Sequence, residues 1–216
     1  MRSMRARRGH ARQFWRVFDR SLMPMVTVDR ERRYVAANAA ARLLLRLSLN
    51  KLKGQRIEDL TPAYLLSTLH ERWDVMMGRG IVSGGFEMVL PDRSRVAIIY
   101  CALANALPGE HLIVFAPADW PDDELSSFEA EASDRLDISL DPAARLSSRE
   151  REVLTLIAAG ATFAQIAKEL TISPATVRTH AQNALRKLGA RNRAHAIAIA
   201  MHLGLIDLPL ASSSPN

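Results

Sequence analysis

Three hydrogen-bond donors recur every four residues along one stretch of the chain. Arg178, Gln182 and Arg186 have the spacing of one helical face, and Thr179 and Asn183 lie beside them with no acidic residue among them. Arg forks to guanine, Gln pairs with adenine, and Thr contacts a phosphate or a thymine methyl, so this face has the chemistry of a DNA-reading surface. The same pattern also fits an ordinary solvated helix surface, and periodicity alone leaves both interpretations open.

Capping residues mark the start of this helix and of the two helices before it. Ser147–Glu150 (SSRE) has the form of a capping box and opens a helix that Gly160 ends. Thr162–Gln165 (TFAQ) repeats the pattern for a short helix. After a brief turn, the pair Ser173–Pro174 opens the donor-bearing helix, because serine caps well and proline is tolerated in the first turn. This order predicts a helix-turn-helix.

Charge is distributed unevenly along the 216 residues. Residues 1–20 carry a net +6, residues 118–145 a net −7 and residues 146–206 a net +5, so we expect two folded units joined by an acidic linker. The overall charge of +6 and the pI near 10.1 favour a polyanionic partner such as DNA, RNA or an anionic membrane surface.

Several classes of protein are excluded by the same composition. No run approaches the roughly 20 apolar residues that cross a bilayer, and the basic start lacks the apolar core of an export signal. Cys101 is the single cysteine, which excludes an intrachain disulfide. We therefore predict a cytoplasmic protein that does not associate with a membrane.

Residues 146–206 resemble, over their whole length, the DNA-binding domain of LuxR-type response regulators. The residues that carry the likeness are Leu146, Arg149, Glu150, Glu152, Val153, Leu154, Gly160, Ile166, Ala167, Leu170, Ile172, Ser173, Thr176, Val177, His180, Lys187, Leu188, Arg193, Ala196 and Gly204. The resemblance implies four packed helices, of which the third enters the major groove of double-stranded DNA, and dimers that read inverted half-sites.

The same resemblance assigns roles to individual positions. It implies that Arg178, Thr179 and Gln182 face the bases. Its phosphate-contacting or buttressing positions are Thr162, Ser173, Thr176, His180, Arg186 and Lys187. Packing is an equal alternative for His180, and helix capping is an alternative for Thr176.

The last helix of this region, over 192–203, is apolar on two sides. One stripe contains Ala196, Ile199, Ala200 and Leu203, and the second contains Ala194, Ile197, Ala198 and Met201. A domain of about 60 residues is too small to bury both stripes. We therefore predict that the second stripe forms a dimer interface.

The N-terminal half has the order β, β, helices, β, β, β. Strand-like runs at 24–29 and 32–37 precede Asn38, which is placed to cap a helix over 39–47; a second helix is expected over 62–77. Three further strands are expected over 84–90, 94–104 and 111–117. The runs PMVTVDRERRYVAANAAARLLL and GQRIEDL resemble a PAS domain, which implies an antiparallel sheet with a helical lid and a sensing or dimerising role.

The expected fold class is therefore α+β, with a PAS-like antiparallel sheet and helical lid followed by an all-α four-helix LuxR-type domain. A helix over 10–22 precedes the sheet and carries Phe14, Trp15 and Phe18. We predict that these aromatic residues pair two sensor domains, with packing on the domain's own sheet as the alternative.

We predict no metal site, no catalytic residue and no cofactor. Two interpretations of the domain interior remain: it binds a small organic ligand among Met76, Met77, Met88 and Tyr100, or it is an empty scaffold. A haem held by His70 or His111 is disfavoured, and Cys101 lacks the Asn-Cys-Arg context of a flavin photosensor.

The predicted organisation is a basic arm with a flanking helix over 1–22, a sensor over 23–117, an acidic linker over 118–145, a DNA-binding domain over 146–206 and a disordered tail over 207–216. The predicted function is a DNA-binding transcription regulator, not an enzyme, which binds an inverted-repeat promoter site as a homodimer. RNA polymerase is a further partner that the sequence neither assigns nor excludes. In the resting state, the linker or the sensor is expected to cover the DNA-binding face.

Two rival functions come from other classes. One is a protein-interaction adaptor whose sensor binds a partner regulator and whose DNA domain is weak. The other is an enzyme with Cys101 as nucleophile, which is disfavoured because no basic neighbour lowers the pKa of the thiol.

Overall fold

A computed structural model describes residues 2–118 and 145–208 of the chain. The N-terminal part contains, in order, α1 (Arg2–Arg20), β1 (Met25–Val28), β2 (Tyr34–Ala37), α2 (Ala39–Leu45), α3 (Leu49–Leu52), α4 (Leu66–Arg79), β3 (Ile81–Val89), β4 (Arg95–Leu107) and β5 (Glu110–Pro117). Two short 3-10 helices, Ile57–Leu60 and Ala63–Leu65, lead into α4. The C-terminal part contains α5 (Ser148–Ala158), α6 (Phe163–Leu170), α7 (Pro174–Lys187) and α8 (Arg193–His202).

The strands form one five-stranded antiparallel sheet in the order β2-β1-β5-β4-β3. Strand β4 pairs with β3 on one side and with β5, the central strand, on the other, and Cys101 lies opposite both Ser83 and Val114. A sheet with helices, followed by a helical domain, confirms the expected α+β class.

Both faces of the sheet are apolar and both are covered. Side chains alternate along a strand, so Ile113 and Phe115 lie on one face of β5 and Leu112 and Val114 on the other. Helices α2, α3 and α4 cover the first face, which is the lid side. Helices α1 and α8 cover the second face, so one apolar core runs from the sheet into the C-terminal domain.

Several element boundaries differ from the expected ones, each for a local reason. Helix α2 ends at Leu45, not Leu47, because Arg46 adopts a left-handed conformation with φ 55°. Gly80, with φ 84°, ends α4 and leads directly into β3, which begins three residues earlier than expected. Strand β4 continues to Leu107 before the turn into β5.

The expected ends of the chain also need correction. Helix α1 begins at Arg2, so part of the basic arm is helical. Leu208 is buried and Asp207 forms an ion pair with Arg16, so the ordered part extends past residue 206, where a disordered tail was expected to begin. Residues 119–144 of the predicted linker and 209–216 of the predicted tail lie outside the described residues. No described helix combines the length and apolarity that crossing a membrane requires.

Candidate nucleic-acid interface and sensor cavity

Helix α7 is fixed at its first turn by the cap that the sequence predicts. The Oγ of Ser173 accepts the backbone N–H of Thr176 at 3.0 Å, and the two hydroxyl oxygens lie 2.8 Å apart. Pro174 occupies the first turn, where a backbone N–H would have no partner within the helix, so proline loses no hydrogen bond there. The Thr176 hydroxyl therefore takes part in the cap, the alternative that the sequence had left open for this residue.

The inner side of α7 packs against α5 and α6. Val177, Ala181, Ala184, Leu185 and Leu188 are all at most 2% exposed, as their spacing predicts. Because this stripe fixes the rotation of the helix, the opposite face must point away from the domain core.

The outer side of α7 contains the predicted base-facing residues. Arg178 and Gln182 are half-buried, while Thr179 is exposed and donates its hydroxyl to the carbonyl of Ala175 at 3.0 Å. Exposed Arg186 donates from Nη2 to Oδ1 of Asn183 at 2.9 Å, which holds its guanidinium along the same face. The helix itself contains no carboxylate. This arrangement can offer several donors to a groove or to phosphates.

Besides Ser173, Thr176 and Arg186, two more of the candidate phosphate contacts have partners within the chain. Lys187 Nζ donates to Oε2 of Glu150 at 2.8 Å, joining the end of α7 to the start of α5. Burial raises the pKa of Glu150, but the hydrogen bonds from Lys187 and Ser147 outweigh it, so the net pKa lies below the ordinary value. Thr162 caps α6 in a reciprocal box with Gln165. Lys187 thus links α7 to α5, Thr162 caps α6, and His180 is half-buried on α7.

Helix α8 differs from the expectation. Its predicted interface residues Ala194, Ile197, Ala198 and Met201 are at most 2% exposed, and the sheet strands β4 and β5 of the same chain lie against the helix. The premise that this stripe is left uncovered is wrong, because it treated the C-terminal domain by itself. In this arrangement the sheet covers α8, whereas the outer side of α7 was the face expected to be masked.

The aromatic residues of α1 are also used within the chain. Phe14 and Phe18 are 1% exposed in the core that includes the sheet and α8. Trp15 is half-buried and meets both rings edge-on, at centroid distances of 5.4 and 5.2 Å. The three residues therefore pack on their own domain's sheet, and the expectation that they pair two subunits is not met in this arrangement.

Three polar residues of the α1 region contact the C-terminal domain, and sequence reasoning missed them. Gln13 donates from Nε2 to the carbonyls of Gly204 and Ile206, at 3.0 and 2.8 Å. Ser21 donates its hydroxyl to the carbonyl of Ala158 at 2.5 Å, and Arg16 Nε lies 3.1 Å from Asp207 Oδ1. The available signal was a glutamine beside the apolar stripe of α1 and a serine just after the helix.

The lid side of the sheet holds a partly open cavity of about 70 Å³. Its wall is almost entirely apolar and includes Met76, Phe86, Met88, Ile98, Tyr100 and Phe115. Three of the four residues named for an organic ligand thus line the cavity, and Met77, 40% exposed, does not. For scale, an apolar cavity of roughly 150 Å³ holds benzene. The space present suits a molecule of a few heavy atoms.

One cation lies at the edge of this cavity. The guanidinium of Arg72 is 5.6 Å from the ring centroid of Phe86 and 5.8 Å from that of Tyr100, and Nη1 donates to the carbonyl of Gly85 at 2.6 Å. Neither candidate haem ligand lines the cavity. His70 lies 3.5 Å from a Glu58 oxygen, and buried His111 packs edge-on against Trp73.

Cys101 lies on the opposite face of β4 from the cavity. It is fully buried in the core shared with α1 and α8, and burial raises the pKa of its thiol. A buried neutral thiol is a poor nucleophile.

Comparisons with known proteins agree with both halves of this architecture. The family model of the bacterial regulatory proteins, luxR family, matches residues 144–200, and a PAS fold model matches residues 18–117. The spore germination protein GerE of Bacillus subtilis is 43% identical over 63 residues, which cover 29% of this chain and 85% of GerE.

Other relatives match over shorter shares of their length. The probable transcriptional regulatory protein NarL of Mycobacterium tuberculosis is 52% identical over 62 residues, and this chain spans 29% of it. A PAS domain of Colwellia psychrerythraea is 16% identical with a TM-score of 0.45, covering 50% of this chain and 95% of that one. The two family models and the match to GerE confirm both resemblances seen in the sequence: the chain belongs to the luxR family of bacterial regulatory proteins and carries a PAS fold ahead of its helix-turn-helix.

Proposed function

We propose that the protein is a DNA-binding transcription regulator that reads an inverted-repeat promoter site as a dimer under control of its PAS domain. The observation that carries the proposal is the outer face of α7, where Arg178, Thr179 and Gln182 lie opposite a fully buried stripe. Donors without carboxylates on a helix that follows a tight turn are what the major groove accepts. No step of this function requires a catalytic residue.

Electrostatics support the same partner. Residues 146–206 carry a net +5, and Arg186 holds a cation beside the proposed base-facing positions. Neutralising phosphates releases counterions, so the affinity of such a surface must fall steeply with salt. The proposed organisation keeps a sensor over 23–117, an acidic linker over 118–145 and a DNA-binding domain over 146–206.

Sensor control is supported by the cavity. Its wall is made by strands β4 and β5 on one side and by α4 on the other, and α8 packs on the opposite side of the same strands. A small apolar molecule in the cavity would therefore act on elements that contact the C-terminal domain. Native mass spectrometry of the full chain tests this part: a mass surplus that disappears on denaturation supports a ligand, whereas ligand-free chains from several expression hosts would oppose ligand control.

DNA recognition is tested by selecting sites from a random duplex library with the purified full chain. We expect enrichment of an inverted repeat and protection of both half-sites in footprinting. Arg178→Ala should lower affinity for the selected site about 10- to 100-fold, because a bidentate base contact contributes roughly 1–3 kcal/mol.

Arg42→Ala is the matched control for this substitution. Arg42 is exposed on α2 of the sensor, so the control removes the same charge far from α7 and should leave affinity for the selected site within about twofold. No enriched sequence and no specific protection would reject the proposal and favour the adaptor, whose DNA domain is weak.

A further inference from the structure

The cavity on the lid side of the sheet has a charged group in an otherwise uncharged wall. Among the described residues that line it, Arg72 is the one ionised side chain, and the others are apolar or carry a neutral polar group. The guanidinium carbon lies 5.6 Å from the ring centroid of Phe86 and 5.8 Å from that of Tyr100. The cation therefore contacts two of the aromatic rings that bound the cavity.

Arg72 differs from several arginines of the same domain in the partner that it has. Three of them form ion pairs: Arg32 with Glu58, Arg46 with Asp92 and Arg95 with Glu87. Within residues 2–118 and 145–208, none of the ion pairs includes Arg72. Its Nη1 donates instead to the carbonyl of Gly85 at 2.6 Å. A carbonyl does not cancel a charge, so this half-buried cation favours an anion beside it.

The guanidinium is held in place by the protein itself. Arg72 lies on α4 and Gly85 on the edge strand β3, so the hydrogen bond between them joins the lid to the sheet. A guanidinium has five N–H donors, and the bond to Gly85 leaves others for a ligand. A donor that is already positioned loses little conformational freedom on binding, which favours affinity.

A second hydrogen-bond donor lies beside this cation. Tyr100 is 9% exposed, and its hydroxyl oxygen lies 3.5 Å from Nη1 of Arg72. Burial raises the pKa of Tyr100 and outweighs the opposite effect of Arg72, so the phenol keeps its proton. A guanidinium and a neutral phenol this close together have the donors that the two oxygens of one carboxylate accept.

The remainder of the wall determines the other end of a ligand. Met76, Met88, Ile98 and Phe115 contribute apolar surface to a cavity of about 70 Å³. Because a cavity of roughly 150 Å³ holds benzene, about half that volume holds a tail of roughly three carbons. The wall and the volume together suit a short hydrocarbon tail.

We propose that the cavity binds a short-chain carboxylate, with its carboxylate on Arg72 and Tyr100 and its tail among the apolar side chains. Butyrate and isobutyrate are the simplest molecules of this class. The inference deepens the proposed function and rests on it, because it names the class of ligand through which the PAS domain would exert control. It adds an anionic head to the small apolar molecule considered there.

The test is titration of the full chain with butyrate, without DNA, followed by NMR of isotope-labelled methionine methyl groups. Met76 and Met88 line the cavity, whereas Met77 lies outside it and is 40% exposed. We expect butyrate to shift the methyl resonances of Met76 and Met88 and to leave that of Met77 unchanged. Met77 is thus an internal control for binding at the surface.

A series of acetate, propionate, butyrate and valerate measures the tail. Each added methylene should raise affinity about fourfold, which is the effect of burying one such group. The gain should stop after roughly three tail carbons, because the cavity is then full. Acetate has the same charge with a single methyl group, and it therefore controls for binding of anions to a basic protein.

The role of the cation is tested by changing the charge on both sides of the contact. Arg72→Gln should weaken butyrate binding about tenfold or more and change the binding of neutral butyramide less than about twofold. A purely structural role for Arg72 would weaken both ligands alike. Arg72→Lys keeps the charge without the planar fork and should give an intermediate affinity for butyrate.

Arg42→Gln is the matched control for Arg72→Gln. Arg42 is exposed on α2, so this variant loses the same charge away from the cavity and should bind both ligands as the original chain does. Melting curves of all variants show that they are folded.

Three results would overturn the inference. They are equal affinities of the original chain for butyrate and butyramide, a butyrate-induced shift at Met77 without one at Met76 or Met88, and no binding of any carboxylate at millimolar concentration. Each of them leaves the DNA-selection and mass-spectrometry tests of the proposed function unaffected. Conversely, failure to select a DNA site does not alter a binding constant measured without DNA.

Discussion

Helices α7 and α8 follow one another in the same small domain, yet they present opposite surfaces. Helix α7 buries one stripe and leaves polar residues such as Thr179 and Arg186 exposed. Every residue of α8 from Arg193 to Met201 is buried. The difference teaches that the polarity of a face limits its partner: the polar side of α7 suits water or the proposed DNA, whereas α8 packs against an apolar sheet.

The comparison is tested most strongly by placing the same charge on each helix. Ile197→Glu puts a carboxylate at a position with 0% exposure, and we expect it to lower the free energy of unfolding by about 4 kcal/mol or more. Thr179→Glu, on the exposed side of α7, should change it by less than about 1 kcal/mol. Urea unfolding of both variants measures the contrast, and similar losses would contradict it.

A second prediction concerns pH and a histidine of α8. Burial, followed by the charge of Arg191, lowers the pKa of His195 from 6.5 to about 4. The unfolded chain therefore binds this proton first as the pH falls, and the folded state loses stability between about pH 6.5 and pH 4. The full effect is about 3 kcal/mol.

His195→Gln isolates this term, because glutamine does not titrate and offers an oxygen to the N–H of Arg191 that His195 Nδ1 now accepts. Unfolding free energies measured from pH 7 to pH 4 should fall less steeply in the variant than in the original chain. Parallel curves for the two proteins would mean that His195 is not held neutral in the folded state.

On α7, two substitutions should separate base reading from phosphate binding. Gln182→Ala is expected to weaken the free energy of binding to the selected site by about 1–3 kcal/mol and to relax the sequence preference at one base position. Arg186→Ala should weaken binding to all duplexes alike and reduce the slope of log affinity against log salt concentration by about one. Binding of both variants to single-base variants of the site, measured at several salt concentrations, distinguishes the two roles. Identical binding profiles for the two variants would contradict the roles assigned to Gln182 and Arg186.

The smallest effect concerns the cap of α7. Ser173→Ala removes the acceptor for the N–H of Thr176 and should lower the free energy of unfolding by about 1 kcal/mol. Ser173→Asp keeps a capping oxygen and should retain most of the stability. Denaturant unfolding of the two Ser173 variants provides the check. Equal losses of unfolding free energy in both would show that the hydrogen bond to the N–H of Thr176 does not account for the stability.

Local features of both domains were predictable from the sequence. The caps at Asn38, Ser147, Thr162 and Ser173 all form as expected, because a cap is a contact between residues three apart. The buried stripe of α7 was predictable for the same reason, since its period is set by one helix.

The docking of the two domains was not predictable in this way. It joins two apolar surfaces distant in sequence, the second face of the sheet around Val114 and the second stripe of α8 around Ile197. The stripe of α8 by itself indicated a missing partner, and the sequence could not decide whether that partner lay in the same chain. Gln13 and Ser21 were missed because their partners are backbone carbonyls of the other domain.

The most direct test of the account is the accessibility of one thiol on α8, placed in the core that this helix shares with the sheet. The variant Ala198→Cys in a Cys101→Ala background places a single thiol at a position with 0% exposure. We predict that a thiol reagent modifies this cysteine slowly in the folded chain and rapidly in the chain unfolded by urea. Rapid modification of the folded chain would contradict the docking of α8 on the sheet.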